Sequence, residues 1–313
     1  MREGTVEPRF PRYPLLAAAL LVVLLAAAAF APAGASAREV TLRHAGLTLN
    51  ATIEIAEGKS PGDGMVLMVH GTMQHNDFST MREFRTMLRT KGFSTLVVNL
   101  GLGVDNRRGM YDCERPSTHR FGDALAEIGA WLDWLQANGA KRVVLFGFSR
   151  GGQQAAWFSA ERGHPAIDSL VLLAPINPME FAQPARYEAQ FGAPLRPLLE
   201  QARKLVQAGK GQTRMEKVPF LLCPAATVTA DSFASYYAPG PELEMPALLK
   251  RVKKPALVVV AGGDQIVRNL DKLIAPLVDG KRLRMTLIPG ADHFFRDLYG
   301  EDAMEEIVKF LRP

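Results

Sequence analysis

Short runs of unbroken apolar residues alternate along this chain with segments whose apolar positions recur every three or four residues. Met65–Val69, Thr95–Val98, Val143–Phe146, Leu170–Leu173 and Ala256–Val260 are runs of the first kind, and Leu283–Ile288, interrupted by Arg284 and Thr286, reads as a further strand. The unbroken runs read as strands buried on both faces. Between them, Phe84, Met87 and Leu88 form one helical face, and Phe121, Leu125, Ile128, Leu132 and Leu135 form a second. Gln153–Glu161, Ile266–Leu277 and Ala303–Leu311 also read as helices. Gly92 and Gly139 supply natural stops for the first two. Strands and helices in this rhythm predict a mostly parallel sheet covered on both faces. Ahead of it, Val40–Arg43 and Leu47–Ile53 flank Ala45-Gly46 and read as a hairpin.

The rhythm breaks in two places. Residues 176–250 are rich in Pro and aromatic residues with mixed helical pieces, so they read as an insertion between core segments 38–175 and 251–313. The other break is at the start. Arg2, Arg9 and Arg12 precede an apolar run from Leu15 to Phe30, followed by small residues through Ala35 and Ala37. That is the three-part pattern of a secretory signal, with cleavage expected after Ala37. The alternative is an uncleaved N-terminal anchor, but the run is shorter than the roughly 20 residues that span a bilayer. The expected location is therefore periplasmic or secreted.

Composition changes this picture only slightly. The chain of 313 residues is 48% apolar and 22% charged, ordinary for a folded globular protein. Net charge is +5, and removing residues 1–37 takes away three Arg and two Glu, leaving +4. The basic runs Lys250–Lys254 and Lys281–Arg284 precede strands and read as solvated loops. Charge alone allows a nucleic-acid patch, but the export signal argues against such a partner. Cys113 and Cys223 are the two cysteines. A bridge between them and two separate thiols are both open, since spacing carries no geometry. No paired Cys or His spacing suggests zinc.

The sharpest chemical signal is Gly147-Phe148-Ser149-Arg150-Gly151, a G-x-S-x-G sequence between a buried strand and a helix. A turn this tight strains the serine backbone and requires small residues two places before and after it. It lifts the hydroxyl clear of the sheet at a helix N-terminus, where backbone N–H groups favour negative charge. A serine hydroxyl needs a base to take its proton, and the base needs an acid to hold its tautomer. His293, in Pro289–Phe294, follows the last strand, and Asp264, in Ala261–Gln265, follows the one before. Both loops leave the carboxyl edge of the sheet, as Ser149 does, and the order Ser, acid, His suits a strand-turn-helix nucleophile. Glu180 is the reserve acid. Asp292 adjoins the base in sequence, but neighbouring side chains in a loop usually point apart. The loop after the first buried strand, His70-Gly71-Thr72-Met73, is expected to supply one oxyanion donor from Thr72, with Met73 second. The other donor is the N–H of Arg150. His70 is expected to shape that loop by hydrogen bonding.

Taken together, the strand before His70-Gly71, the serine turn, Gly263-Asp264 and Gly290–His293 resemble the α/β-hydrolase superfamily over nearly the whole chain from Val40 to Leu311. The resemblance implies an α/β-hydrolase fold, a Ser149–His293–Asp264 triad, and neither metal nor organic cofactor. It also implies that residues 176–250 form a lid over the site. Met73, Phe148, Phe233 and Tyr236 are the residues expected to meet substrate. Asn99, Asp105, Arg107 and Arg108 are expected at the mouth. The aromatic residues of the insertion point to an acyl, aromatic or lipid-like ester, although packing of the lid itself must account for most of them. The expected activity is hydrolysis of an ester or thioester. An acyltransferase with the same triad, or a non-catalytic binding protein on the same fold, are the alternatives. Arg150 departs from the uncharged residue usual in such turns. It reads either as a surface arginine in a salt bridge or as an attractor of acidic substrates.

Overall fold

The computed structural model describes, besides Met1, residues 37–312. The segment read as an export signal lies outside them. β1 (Arg38–His44) and β2 (Leu47–Glu54) form the expected hairpin, turning at Ala45 and Gly46, both at positive φ. β3 (Met65–Val69), β4 (Ser94–Asn99), β5 (Val143–Phe148), β6 (Ile167–Leu173), β9 (Ala256–Ala261) and β10 (Leu283–Ile288) complete an eight-stranded sheet. Its order is β1-β2-β4-β3-β5-β6-β9-β10. β3 through β10 in this sheet pair in parallel, and the hairpin adds antiparallel strands at one edge.

Alternate residues of the parallel strands feed two cores. Leu67, Val69, Leu145 and Leu172 pack with α2 (Asp123–Ala137) and α3 (Arg150–Glu161). Met68, Phe146, Val171 and Val259 pack with α1 (Ser79–Thr90) and α10 (Leu298–Leu311). Burial on both faces is why these strands appear in the sequence as apolar runs rather than alternations. β4 and β5 flank β3 on opposite sides. The chain therefore reverses direction across the sheet here, and a crevice opens at the carboxyl ends of β3 and β5.

The insertion is partly helical, with α4 (Pro178–Phe181), α5 (Pro184–Phe191), α6 (Leu195–Gln207) and α7 (Ala230–Tyr237). It also holds an antiparallel hairpin, β7 (Arg214–Phe220) and β8 (Cys223–Thr229), which the sequence pattern does not announce. Its register shifts twice, so the inward positions do not alternate cleanly. Tyr187, Phe220, Phe233 and Tyr237 pack ring against ring, some pairs edge to face and others tilted, giving the insertion a core of its own. α8 (Met245–Arg251) belongs elsewhere. Its Met245, Leu248 and Leu249 are buried in the main core beside α3, so the chain rejoins that core at Met245 rather than after Lys250. The helix expected over Ile266–Leu277 shortens to α9 (Leu270–Ile274) and a single 3-10 turn. Ile266 and Val267 instead donate their backbone N–H groups to Asp264, which holds them in a turn.

Cys113 and Cys223 are joined in a disulfide. It ties the long loop after β4 to the start of β8. Ser117 reinforces the join by exchanging backbone hydrogen bonds with Thr227 and Thr229.

Candidate active site

Ser149 sits between β5 and α3 at φ 55 and ψ −119, a left-handed conformation that side chains rarely adopt. Its neighbours explain how the strain is held. Built on Gly147, a Cβ would lie 2.3 Å from the Gly151 carbonyl oxygen; on Gly151, it would lie 2.4 Å from that of Val69. Backbone packs directly on backbone here, and only glycine permits it. The Ser149 N–H donates to Leu173 O at 2.8 Å, anchoring the turn to β6.

The loops after β9 and β10 bring two further groups to this serine. His293 Nε2 lies 2.9 Å from Ser149 Oγ. On its other side, Nδ1 donates to Asp264 Oδ2 at 2.7 Å. Asp264 Oδ1 accepts from the N–H groups of Ile266 at 2.7 Å and Val267 at 2.8 Å, so each carboxylate oxygen has a fixed task. All three side chains are buried. Phe148 packs beneath the imidazole, with ring centroids 5.2 Å apart. Glu180 is not part of this chain of contacts; it pairs with Arg186 on the insertion. Asp292 turns away, to the N–H of Phe294 and the Arg296 guanidinium.

The loop after β3 faces the serine turn closely. A Cβ on Gly71 would lie 3.3 Å from Ser149 Cβ. The Gly71 N–H is taken by Gln74 Oε1. Among the described residues, the backbone N–H groups of Thr72 and Arg150 donate to no acceptor, so both are available to a developing oxyanion. His70 is a bolt behind this loop. Its Nδ1 donates to Gly71 O at 2.8 Å, and its Nε2 accepts from Leu100 N and Arg107 Nη2, both at 3.1 Å.

A narrow pocket abuts this loop and the residue after the nucleophile, with Met73, Leu102, His119, Arg150, Leu221 and Tyr236 in its wall. Met73 and Tyr236 therefore stand where substrate contacts were expected. Phe148 and Phe233 do not. Phe148 is fully buried under His293, and Phe233 is fully buried in the insertion's own aromatic core. Arg107 and Asn99 are not at the mouth either. Arg107 is buried, with hydrogen bonds to Leu100 O, Gly109 O, Gln74 O and Asn99 Oδ1, and so locks the loop after β4 to the loop after β3. Asp105 accepts from the Thr48 N–H and Arg108 pairs with Glu39, both on the hairpin side. Arg150 is not a surface residue in a salt bridge. It is buried, and no described carboxylate pairs with it. His119 is a pocket residue that the sequence did not flag, because nothing in its local pattern separates it from a loop histidine. A larger cavity, lined by Met65, Ser94, Arg142 and Lys281, opens at the opposite ends of the strands, away from Ser149.

The sequence model of the alpha/beta hydrolase family matches residues 66–310. The chain belongs to the alpha/beta hydrolase family. Solved structures agree on the fold. Est1E from Butyrivibrio proteoclasticus, with ferulic acid bound, is similar with a TM-score of 0.60 and 16% identity over 88% of this chain and 100% of its own. An esterase of Pyrococcus furiosus gives 0.57 and 16% over 89% and 91%. A dienelactone hydrolase from Anabaena variabilis gives 0.52 and 19% over 88% and 95%.

Two buried histidines give this alpha/beta hydrolase a defined acid response. His70 and His119 are both lowered from 6.5 to about 3, first by burial, which disfavours imidazolium, and then by nearby Arg107. The unfolded chain binds protons at these positions below about pH 6.5, while the folded chain stays neutral until about pH 3. Their contribution is therefore complete above pH 6.5 and is lost as pH falls toward 3. Where only the unfolded chain is charged at both histidines, their slope approaches two protons, about 2.7 kcal/mol per pH unit, and above about pH 4.5 buried Glu127, raised to about 7, offsets about one of them. Urea unfolding at pH 7, 6, 5 and 4 should show this decline. His119→Gln should lower the slope by about one proton.

Proposed function

We propose that this protein is an exported serine hydrolase that cleaves an ester or thioester through an acyl-enzyme on Ser149. One observation carries the reading: the unbroken hydrogen-bonded line from Asp264 through His293 to Ser149 Oγ. In this scheme, His293 Nε2 takes the hydroxyl proton as Ser149 Oγ bonds to the substrate carbonyl carbon. The carbonyl electrons move onto oxygen, which the N–H groups of Thr72 and Arg150 receive. Collapse of that intermediate breaks the bond to the leaving alcohol or thiol, which carries off the proton from His293. Water then repeats the sequence with His293 as base, releasing the acid and restoring Ser149. Asp264 holds the imidazole tautomer and stabilises its positive charge. The bridged Cys113 and Cys223 suit an oxidising compartment, which supports export.

The test is covalent labelling. The purified protein is treated with a fluorophosphonate probe and the adduct is located by mass spectrometry, alongside a panel of esters and thioesters. A single adduct on Ser149, absent from His293→Ala, is the expected outcome. Folded protein that neither labels nor turns over any panel member would return the chain to the binding-protein reading.

A further inference from the structure

We propose that the substrate is an ester that also bears a carboxylate, bound end-on by Arg150 Nη1 and Nη2 at the narrow pocket beside the oxyanion loop, whose volume of about 10 Å³ leaves room for that group alone while the ester chain runs outside it. This rests on the hydrolase reading above and adds the substrate class. The argument starts from two buried arginines that the fold treats differently. Arg107 is buried, and its guanidinium is surrounded by three carbonyls and the Asn99 amide oxygen at 2.6–2.7 Å. Arg150 is equally buried, with 7% of its surface exposed, yet only its Nε has a partner, Thr72 Oγ1 at 3.0 Å. Its Nη atoms make no hydrogen bond and no ion pair among the described residues.

A buried guanidinium without counter-charge is unfavourable. The local compensation is partial. The group lies 5.3 Å from the ring centroids of both Phe121 and Tyr236, a cation–π arrangement that leaves the Nη hydrogens unused. Tyr236 and Tyr237 do not supply a negative charge, because burial raises both phenols above their usual range. None of the residues lining the pocket is acidic. The bond to Thr72 fixes the guanidinium plane beside the oxyanion loop, and the free Nη pair offers two parallel donors at the pocket wall. That fork matches a planar carboxylate. His119 offers a second, independent sign. It lines the same pocket, its Nδ1 meets Tyr236 Oη at 3.0 Å, and its buried Nε2 has no partner. With the Tyr236 hydroxyl donating to Nδ1, Nε2 carries the imidazole proton and is a buried donor left without a partner beside the same pocket.

The experiment compares matched ester pairs on the purified protein at constant ionic strength, with spontaneous hydrolysis subtracted. On the acyl side, p-nitrophenyl hemi-esters of adipic and pimelic acid are set against the same molecules with a terminal carboxamide. On the alcohol side, carboxyphenyl acetate is set against carbamoylphenyl acetate. One arm should show kcat/KM at least 10-fold higher for the carboxylate. That ratio should collapse toward 1 in Arg150→Met and be partly kept in Arg150→Lys. Independently of any variant, the free diacid should protect Ser149 from the fluorophosphonate probe and the diamide should not. Turnover of neutral esters with no carboxylate preference in either arm, and no protection by diacid, overturns the proposal. Absence of both labelling and turnover overturns the hydrolase reading itself, and this inference with it.

Discussion

Replacing Ser149 by alanine should lower kcat for a p-nitrophenyl ester by a factor on the order of 10⁴–10⁶ while leaving the fold intact. The side chain is small and buried, and its removal costs only the contact to His293 Nε2 at 2.9 Å, on the order of 1 kcal/mol. Thermal unfolding should therefore shift by only a few degrees. His293→Ala should be as inactive as Ser149→Ala, and the double variant no worse than either, because the groups act as a unit. Asp264→Asn should keep its turn contacts yet lose roughly 10⁴-fold, since an amide can impose the wrong imidazole tautomer. Initial rates with circular dichroism as a folding control decide this. A Ser149→Ala protein with most of its activity would remove the acyl-enzyme scheme outright.

Gly147→Ala should cost about 4 kcal/mol or more, a large share of a typical stability of roughly 5–15 kcal/mol. The added methyl would meet Gly151 O at 2.3 Å, Gly151 C at 2.5 Å and Gly152 Cα at 2.6 Å. All three are backbone atoms, so no rotamer relieves the clash. The turn must open, and opening it moves both Ser149 and the N–H of Arg150. Gly62→Ala is the control, because its methyl meets nothing closer than 3.5 Å. Scanning calorimetry should place the two variants at least about 8 °C apart, or Gly147→Ala should fail to yield folded protein. Equal melting temperatures would mean that the turn is far more plastic than its contacts imply.

These two sites also show what the sequence could reveal. Gly147, Ser149 and Gly151 were legible because one local turn dictates all three. The central strands were legible because burial on both faces leaves unbroken apolar runs. Asp264 and His293 followed from their place in the loops after the last two strands. Arg150 was not legible. Its surroundings are built by Phe121 and by Tyr236 from the insertion, and neither proximity is written near residue 150. Phe148 and Phe233 were misplaced for a related reason. Hydrophobicity marks a residue for burial but does not say whether the buried surface meets substrate or protein. Asn99 and Arg107 looked like polar mouth residues, yet they satisfy backbone groups inside a loop junction. The β7–β8 hairpin escaped because its irregular register erases the period of two.

The bridge between Cys113 and Cys223 closes a covalent ring across a sequence separation of 110 residues. Ser149 lies inside that ring, while Asp264 and His293 lie on the tail beyond it. A single cut in the exposed stretch around Gly209 and Lys210 would thus separate nucleophile from acid and base in the linear chain without parting them physically. The two pieces would remain one molecule until the bridge was reduced.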